Sequence, residues 1–413
     1  MISIMEPSQC CGCTACYAAC PKKAISMKMD NEGFLYPIIN SIKCVDCGLC
    51  EKVCPKVNPA YRRHDDVSVQ YGVQINDEKE RHESTAGGAF TIIAEYVLGK
   101  GGIVYAAGWD NKIVTHKGVE HLNELGELRG SKYVQSDLRD SFSEILNALK
   151  REMWVLFTGT PCQVNGLYNF INKKVSLDKL VLVDLLCLGV SSPGVMAKWI
   201  KALEEKYGSC VDHIEFRNKK YGYSTTNVRV LFLNGKHIEQ RYDSKVYSQT
   251  FFKGYNVRPS CYSCDFREIP RISDFTIGDC IDIGTISADF DDDKGTTRMW
   301  VHTEKAKKIM CEMREYYRCV SLADNESHII GGPRKQISHP NRRDKFFVTY
   351  QNDSWDALAK EYVPNNMKTI IASFIRIAAY RLMPFKIRKK LFQGIRKYKA
   401  TLFKKQVRQA NNE

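Results

Sequence analysis

Two cysteine runs near the N-terminus constrain this chain more than any other feature. The first is Cys10, Cys13, Cys16 and Cys20, closed by Pro21; the second is Cys44, Cys47, Cys50 and Cys54, closed by Pro55. Each reads C-x-x-C-x-x-C-x-x-x-C-P. Thiolates are soft ligands suited to iron–sulfur clusters, and a C-x-x-C-x-x-C loop sets three sulfurs around one cube. Where two such runs occur, the fourth cysteine of each serves the other cluster. The spacing therefore predicts one 4Fe–4S cluster on Cys10, Cys13, Cys16 and Cys54, and a second on Cys44, Cys47, Cys50 and Cys20. Zinc would need a single tetrahedral set, and neither zinc nor disulfides explain the duplicated third spacing with its closing proline. Cys11 falls outside the ligand spacing and is expected to be a spare.

Residues 1–60 thus read as a two-cluster ferredoxin module, with short strands at 24–29 and 34–38 around Asn31-Glu32-Gly33. So small a module has little apolar core, and its clusters are expected to do much of the holding together. Of seventeen cysteines, nine lie in the first 54 residues at cluster spacing, which indicates a reducing compartment rather than a disulfide framework. The chain shows no basic segment followed by an apolar one at its start, and no uninterrupted apolar stretch of about 18 to 20 residues that would span a bilayer. A cytoplasmic protein is expected.

Residues 61–70 read as a linker, and beyond them helix and strand alternate. Ser84 to Phe90 leads into an apolar helix ending near Leu98, 103–107 is a strand, 139–151 a helix and 153–158 a buried strand. A helix over 162–171, a second buried strand over 180–186 and a helix over 194–206 follow. Alternation with continuous apolar strands argues for an α/β domain with a covered sheet. From about 211 the pattern is richer in strand (211–217, 227–233, 236–241), with Asn234-Gly235 as a hairpin turn, then strands at 275–277 and 299–301 and a helix over 304–316. Asp289 to Gly295 reads as a solvated acidic loop. The fold class expected is a mixed α+β and α/β multidomain protein: ferredoxin-like module, α/β domain, β-rich part and helical tail.

Four further cysteines stand at turns. Cys162 follows a strand end in Phe157 to Gln163 (FTGTPCQ), Cys187 follows the strand ending at Leu186, and Cys261 and Cys264 form a C-x-x-C. Two cysteines at the carboxyl ends of adjacent strands would sit at the usual ligand edge of an open sheet. From spacing alone, a third cluster competes with zinc in the C-x-x-C and with buried inert cysteines.

These segments, with Asp184 to Gly189 (DLLCLG), Ser273 to Asp279 (SDFTIGD), Lys294 to Thr297 (KGTT) and Glu304, resemble the coenzyme F420 hydrogenase/dehydrogenase beta-subunit family over roughly residues 5–320. The match is to its bacterial branch with a fused two-cluster ferredoxin domain, which is associated with surface-polysaccharide synthesis. The resemblance implies FAD with a 4Fe–4S cluster beside it, held by Cys162, Cys187, Cys261 and Cys264. Cys280, next to the SDFTIGD segment, is a competing ligand. The expected divisions are 1–60, 71–160 and 161–325 (the two parts of the family domain) and 355–413, a basic tail.

For the flavin, Ser84, Thr85, Gly87 and Gly88 precede a helix, where backbone N–H groups suit a pyrophosphate. Read alone, such glycines equally serve close helix packing. The resemblance also points to Arg129, Ser131, Lys132 and Tyr133, with an exposed basic turn as the alternative, and to Gly159 and Thr160 beside both flavin and cluster. No general acid is named: His116, His121, His213 and His237 are singletons, and Asp279 and Asp282 serve as turn residues as well as pocket residues.

The net charge is +14, and residues 366–413 alone contribute +12, from thirteen Lys and Arg against Glu413. Apolar residues from Ile370 to Phe385, and Leu391, Phe392, Ile395, Tyr398, Leu402 and Phe403 beyond, recur at helical spacing. A basic amphipathic helix without acids suits an anionic membrane surface. Docking to a partner and a solvated helix are alternatives, and no recognition fold for nucleic acid accompanies it. The expected function is an oxidoreductase. A ferredoxin or similar donor feeds the clusters, and FAD passes electrons to a small organic acceptor, a saccharide precursor included. The alternatives are an electron-transfer subunit without its own turnover and a coenzyme F420 oxidoreductase.

Overall fold

A computed structural model describes residues 6–60, 68–322 and 337–390, apart from residues 226, 270, 366, 386 and 389. The expected apolar positions from Leu391 onward therefore lie outside the described residues. Among the described residues there are thirteen strands: β1 Ile25–Met29, β2 Leu35–Ile39, β3 Val69–Ile75, β4 Ile103–Asp110, β5 Ile113–Val119, β6 Val155–Gly159, β7 Leu180–Leu185, β8 Val211–Glu215, β9 Arg229–Phe232, β10 His237–Glu239, β11 Phe275–Asp279, β12 Thr297–Val301 and β13 Tyr317–Leu322.

Eight of these strands make one mixed sheet in the order β13-β3-β12-β11-β7-β6-β4-β5. Its centre, β4-β6-β7-β11, is parallel, and antiparallel strands flank it on both sides. Val155, Leu156 and Phe157 of β6 and Leu180 to Val183 of β7 are all buried, as strands covered on both faces must be. One face packs under the helices Ala89–Gly99 and Glu304–Glu312, the other under Ser141–Lys150 and Pro161–Ile171. The division at 160/161 therefore falls between β6 and its following helix, inside a single sheet.

A second core is built on the three-stranded sheet β10-β9-β8 and the helices Pro193–Tyr207, Tyr242–Phe252, Arg343–Asn352 and Trp355–Tyr362. Residues 355–362, expected within the basic tail, belong instead to this core: Trp355, Leu358, Ala359 and Tyr362 are buried there. The tail begins later, with the helix Met367–Leu382, whose Phe374, Ile375 and Leu382 are exposed. The helix expected over 304–316 ends at Glu312 and continues as a single 3-10 turn.

The ferredoxin module is seated on both cores. β1 and β2 pair antiparallel, and Phe34 in their turn is fully buried in the second core against Phe347. Beside it Arg343 grips Glu32 through both guanidinium nitrogens at 2.7 and 2.5 Å, and Gly194 N–H donates to Gly33 O. The acidic loop is not simply solvated. Asp292 pairs with the buried Arg81, and Asp293 binds Arg388 and caps Ser224 N–H, so these carboxylates tie the loop into its surroundings.

Candidate functional site

The two N-terminal runs fold by the same backbone device. In the first, Gly12 (φ 71°) and Thr14 (φ 59°) are left-handed; in the second, the equivalent Asp46 (φ 50°) and Gly48 (φ 71°) are too. Each pair curls three cysteines inward before a short helix, Ala15–Ala19 or Leu49–Lys52. Two of the four positions are not glycine, so strain of about 1–3 kcal/mol each is accepted to hold the loop. Cys20, Cys44, Cys47 and Cys50 line one apolar cavity together with Ile25 and Ile39, which gathers the second expected ligand set. Cys10, Cys13, Cys16 and Cys54 are mutual neighbours: burial, then the nearby Cys10 and Cys54, push the Cys16 thiol up to about 12.

The third set also converges. Cys162 lies in the first turn of the helix after β6, Cys187 lies two residues beyond β7, and the loop carrying Cys261 and Cys264 folds over that edge. Burial and the adjacent Cys261, Cys162 and Cys264 hold the Cys187 thiol well above the usual range. Cys261 is pushed up to about 12 by burial and by Cys162. Crowded thiols of this kind are protonated at neutral pH and ionise only against cationic metal. Among the described residues, no three His, Cys, Asp or Glu side chains close around a single metal ion. The donor set of four clustered thiols nevertheless fits a cube, which spreads its ligands around four irons.

Cys11, expected to be a spare, lies between two of the sets. Its buried thiol hydrogen-bonds with those of Cys13 and Cys162. The helix carrying Cys162 approaches closely because Gly166 faces Cys13: a Cβ there would stand 2.9 Å from Cys13 Sγ. Lys56 forms an ion pair with Asp265, next to Cys264, fastening the ferredoxin module to the C-x-x-C loop. Cys280 takes no part in the set. It is buried with Ile283 and Leu322, facing Asp282. Cys210 and Cys311 are exposed, and Cys319 is a β13 residue.

The residues expected at a flavin are only partly brought together. Thr85 Oγ1 meets Ser131 Oγ at 3.1 Å. Gly87 is accounted for by packing, since a Cβ would fall 2.0 Å from Val73 O, and its N–H already donates to Thr297 Oγ1. Gly88 is left-handed (φ 91°) and packs on Ile75. The 84–88 segment thus offers no free glycine N–H at Gly87 for a pyrophosphate, and Ser84 donates to Glu80 O. Arg129 is paired with Glu80 and Glu83, and Lys132 donates to the carbonyls of Glu127 and Arg129. Burial pushes the Lys132 ammonium down to about 7. Tyr133 packs against Phe216, Phe251 and Phe252, and its hydroxyl accepts from Arg217, which also binds Asp279 at 2.6 Å. Thr160 Oγ1 lies 3.3 Å from Cys162 Sγ, and Gly159 ends β6 beside it. His116 is a satisfied core histidine, between Thr158 O at 3.0 Å and Ser136 Oγ at 2.9 Å. Asp282 is held by Arg298.

Sequence reasoning missed Gln135 and Arg258. One strip of chain, 131–135, runs from Thr85 to the clusters: Ser131 touches Thr85, and Gln135 contacts Arg258 and the carbonyl of Cys11. An arginine three residues before a C-x-x-C was the available signal.

The fold and donor sets define an iron–sulfur protein in which a two-cluster module abuts a mixed α/β domain bearing four more thiols. Residues 152–324 match the family described as coenzyme F420 hydrogenase/dehydrogenase, C terminus of the beta subunit, and residues 9–58 match the 4Fe-4S dicluster domain. Through these segments the chain belongs to the coenzyme F420 hydrogenase/dehydrogenase beta-subunit family, with a dicluster domain ahead of it. It is 24% identical over 200 residues to the F-type polypeptide of the F(420)H(2) dehydrogenase of Methanosarcina mazei, covering 45% of this chain and 55% of the relative. It is 23% identical over 251 residues to the beta polypeptide of F420-dependent formate dehydrogenase 1 of Methanococcus maripaludis, covering 58% of each. The chain therefore spans little more than half the length of these curated relatives. A chain of the F420-reducing NiFe hydrogenase complex from Methanosarcina barkeri aligns at 17% identity with a TM-score of 0.43, over 74% of this chain and 91% of that one.

Proposed function

We propose that this chain is an electron-transfer subunit of an oxidoreductase. Electrons from a ferredoxin-like donor enter the Cys44 set, cross the Cys10 set and reach a third 4Fe–4S cluster on Cys162, Cys187, Cys261 and Cys264. The carrying observation is the convergence of these four thiols at the carboxyl edge of the sheet, in contact through Cys11 with the ferredoxin module. The protein's work is to position carriers at short range, exclude water and set potentials through burial and hydrogen bonds.

Beyond the third site, we place FAD at the Thr85–Ser131 side, where it would convert single electrons to a pair. Lys132 and Thr160 flank that route; the glycines of 84–88 serve packing rather than phosphate binding. The names of the relatives favour coenzyme F420 over a saccharide precursor as the acceptor. The basic tail, with Phe374, Ile375 and Leu382 exposed, is the proposed contact to an anionic membrane surface. No helix among the described residues is long and apolar enough to cross a membrane.

Replacing Cys162 or Cys264 by Ser tests the third site. The expected outcome is loss of about one third of the bound iron, one cube of three. Full retention of iron in both variants would remove that cluster from the account.

A further inference from the structure

Arg258 is fully buried, yet among the described residues no carboxylate is paired with it. Its Nε donates to Cys10 O at 2.8 Å, Nη1 to Gln135 Oε1 at 2.9 Å and Nη2 to Leu35 O at 3.1 Å. The guanidinium lies over the Tyr36 ring, 4.1 Å from its centroid, and 5.4 Å from that of Phe34. Gly12 makes room for it: a Cβ there would stand 2.9 Å from Nη1. All of these partners are neutral, and a buried cation without a counter-charge is expensive.

The negative charge nearby is thiolate. Cys10, Cys11 and Cys261 all act electrostatically on Arg258, and Arg258 acts in turn on Cys162. Arg258 therefore stands between the Cys10 set and the Cys162 set, on the path an electron takes from one to the other. It precedes Cys261 by three positions, so the loop that supplies two thiols also supplies the cation.

We propose that Arg258 is the electrostatic positioning residue of the inner two clusters, raising both their reduction potentials relative to the outer cluster on Cys44, Cys47, Cys50 and Cys20. A cluster gains one negative charge on reduction, and a fixed cation in a water-poor site stabilises the reduced form more than the oxidised one. The outer cavity is lined by other residues and lies away from the guanidinium. Electrons arriving at the outer cluster are thereby drawn inward. The proposal rests on the three-cluster reading above.

The test is a redox titration, followed by electron paramagnetic resonance, of the full chain purified anaerobically with its iron counted. In Arg258→Gln two of the three midpoint potentials move to more negative values and the third stays. Arg258→Lys keeps the charge and stays closer to wild type. Gln135→Glu leaves the arginine in place but sets a carboxylate against it, and shifts the same two potentials the same way. Both neutralising variants retaining about twelve iron atoms with three unmoved potentials would overturn the role of Arg258. A wild type with only two clusters would instead overturn the underlying reading, so the two failures are distinguishable.

Discussion

His116 shows how a residue that looks reactive in sequence can be purely structural. It is wedged between Thr158 O and Ser136 Oγ and stacked on Phe157, and burial pushes its imidazole down to about 4 from about 6.5. A folded pKa below the unfolded one means the unfolded chain takes up the proton first as pH falls. The stabilising contribution is therefore whole above pH 6.5 and is lost as pH drops towards 4, by at most about 3 kcal/mol. Wild type should lose more stability between pH 6.5 and 4.5 than His116→Asn in denaturant titrations, and parallel losses would contradict this. The cysteines were the legible residues, because a ligand pattern is written in spacing. Cys11 was not: its place between Cys13 and Cys162 depends on a contact between segments about 150 residues apart, which no local pattern reports. Arg258 and Gln135 were hidden for the same reason.

At the scale of elements, the turn between β1 and β2 anchors the ferredoxin module through Phe34, whose burial the isolated module could not provide. Phe34→Ala should cost about 3–5 kcal/mol of the stability with which the module is held. The expected readout is a separate, lower urea transition followed through the clusters' visible absorption; one unchanged transition would show that the clusters alone hold the module. The buried strands β6 and β7 and the helices after them were readable from continuous apolar runs and alternation. β5 and β13 were not, since edge strands with Lys117, Arg318 and Ser321 lack such a run. The helix Trp355–Tyr362 reads as tail because its charges resemble the tail's, whereas its Trp355, Leu358 and Tyr362 stripe finds a partner only in the second core. Likewise Ser84 to Gly88 looks like a ligand loop, and close approach to β3 and β12 turns out to need the glycine at 87.

At the scale of the whole molecule, charge and redox centres are segregated: the basic excess lies in the tail and the thiols of the ferredoxin module lie at the opposite end of the sequence. Liposomes with anionic headgroups should float the full chain and not one ending at residue 366, with added salt weakening the interaction; equal flotation of both forms would dismiss the membrane contact. The ferredoxin module, the third thiol set and the 131–135 strip form one continuous contact from Cys44 to Thr85, which is what a wired electron carrier requires. Iron, sulfide and flavin analysis of the anaerobically purified chain measures this most directly. The account predicts about twelve iron atoms, three cubes of four, with one FAD per chain. About eight iron atoms, with Cys162, Cys187, Cys261 and Cys264 still titrating as free thiols, would contradict it.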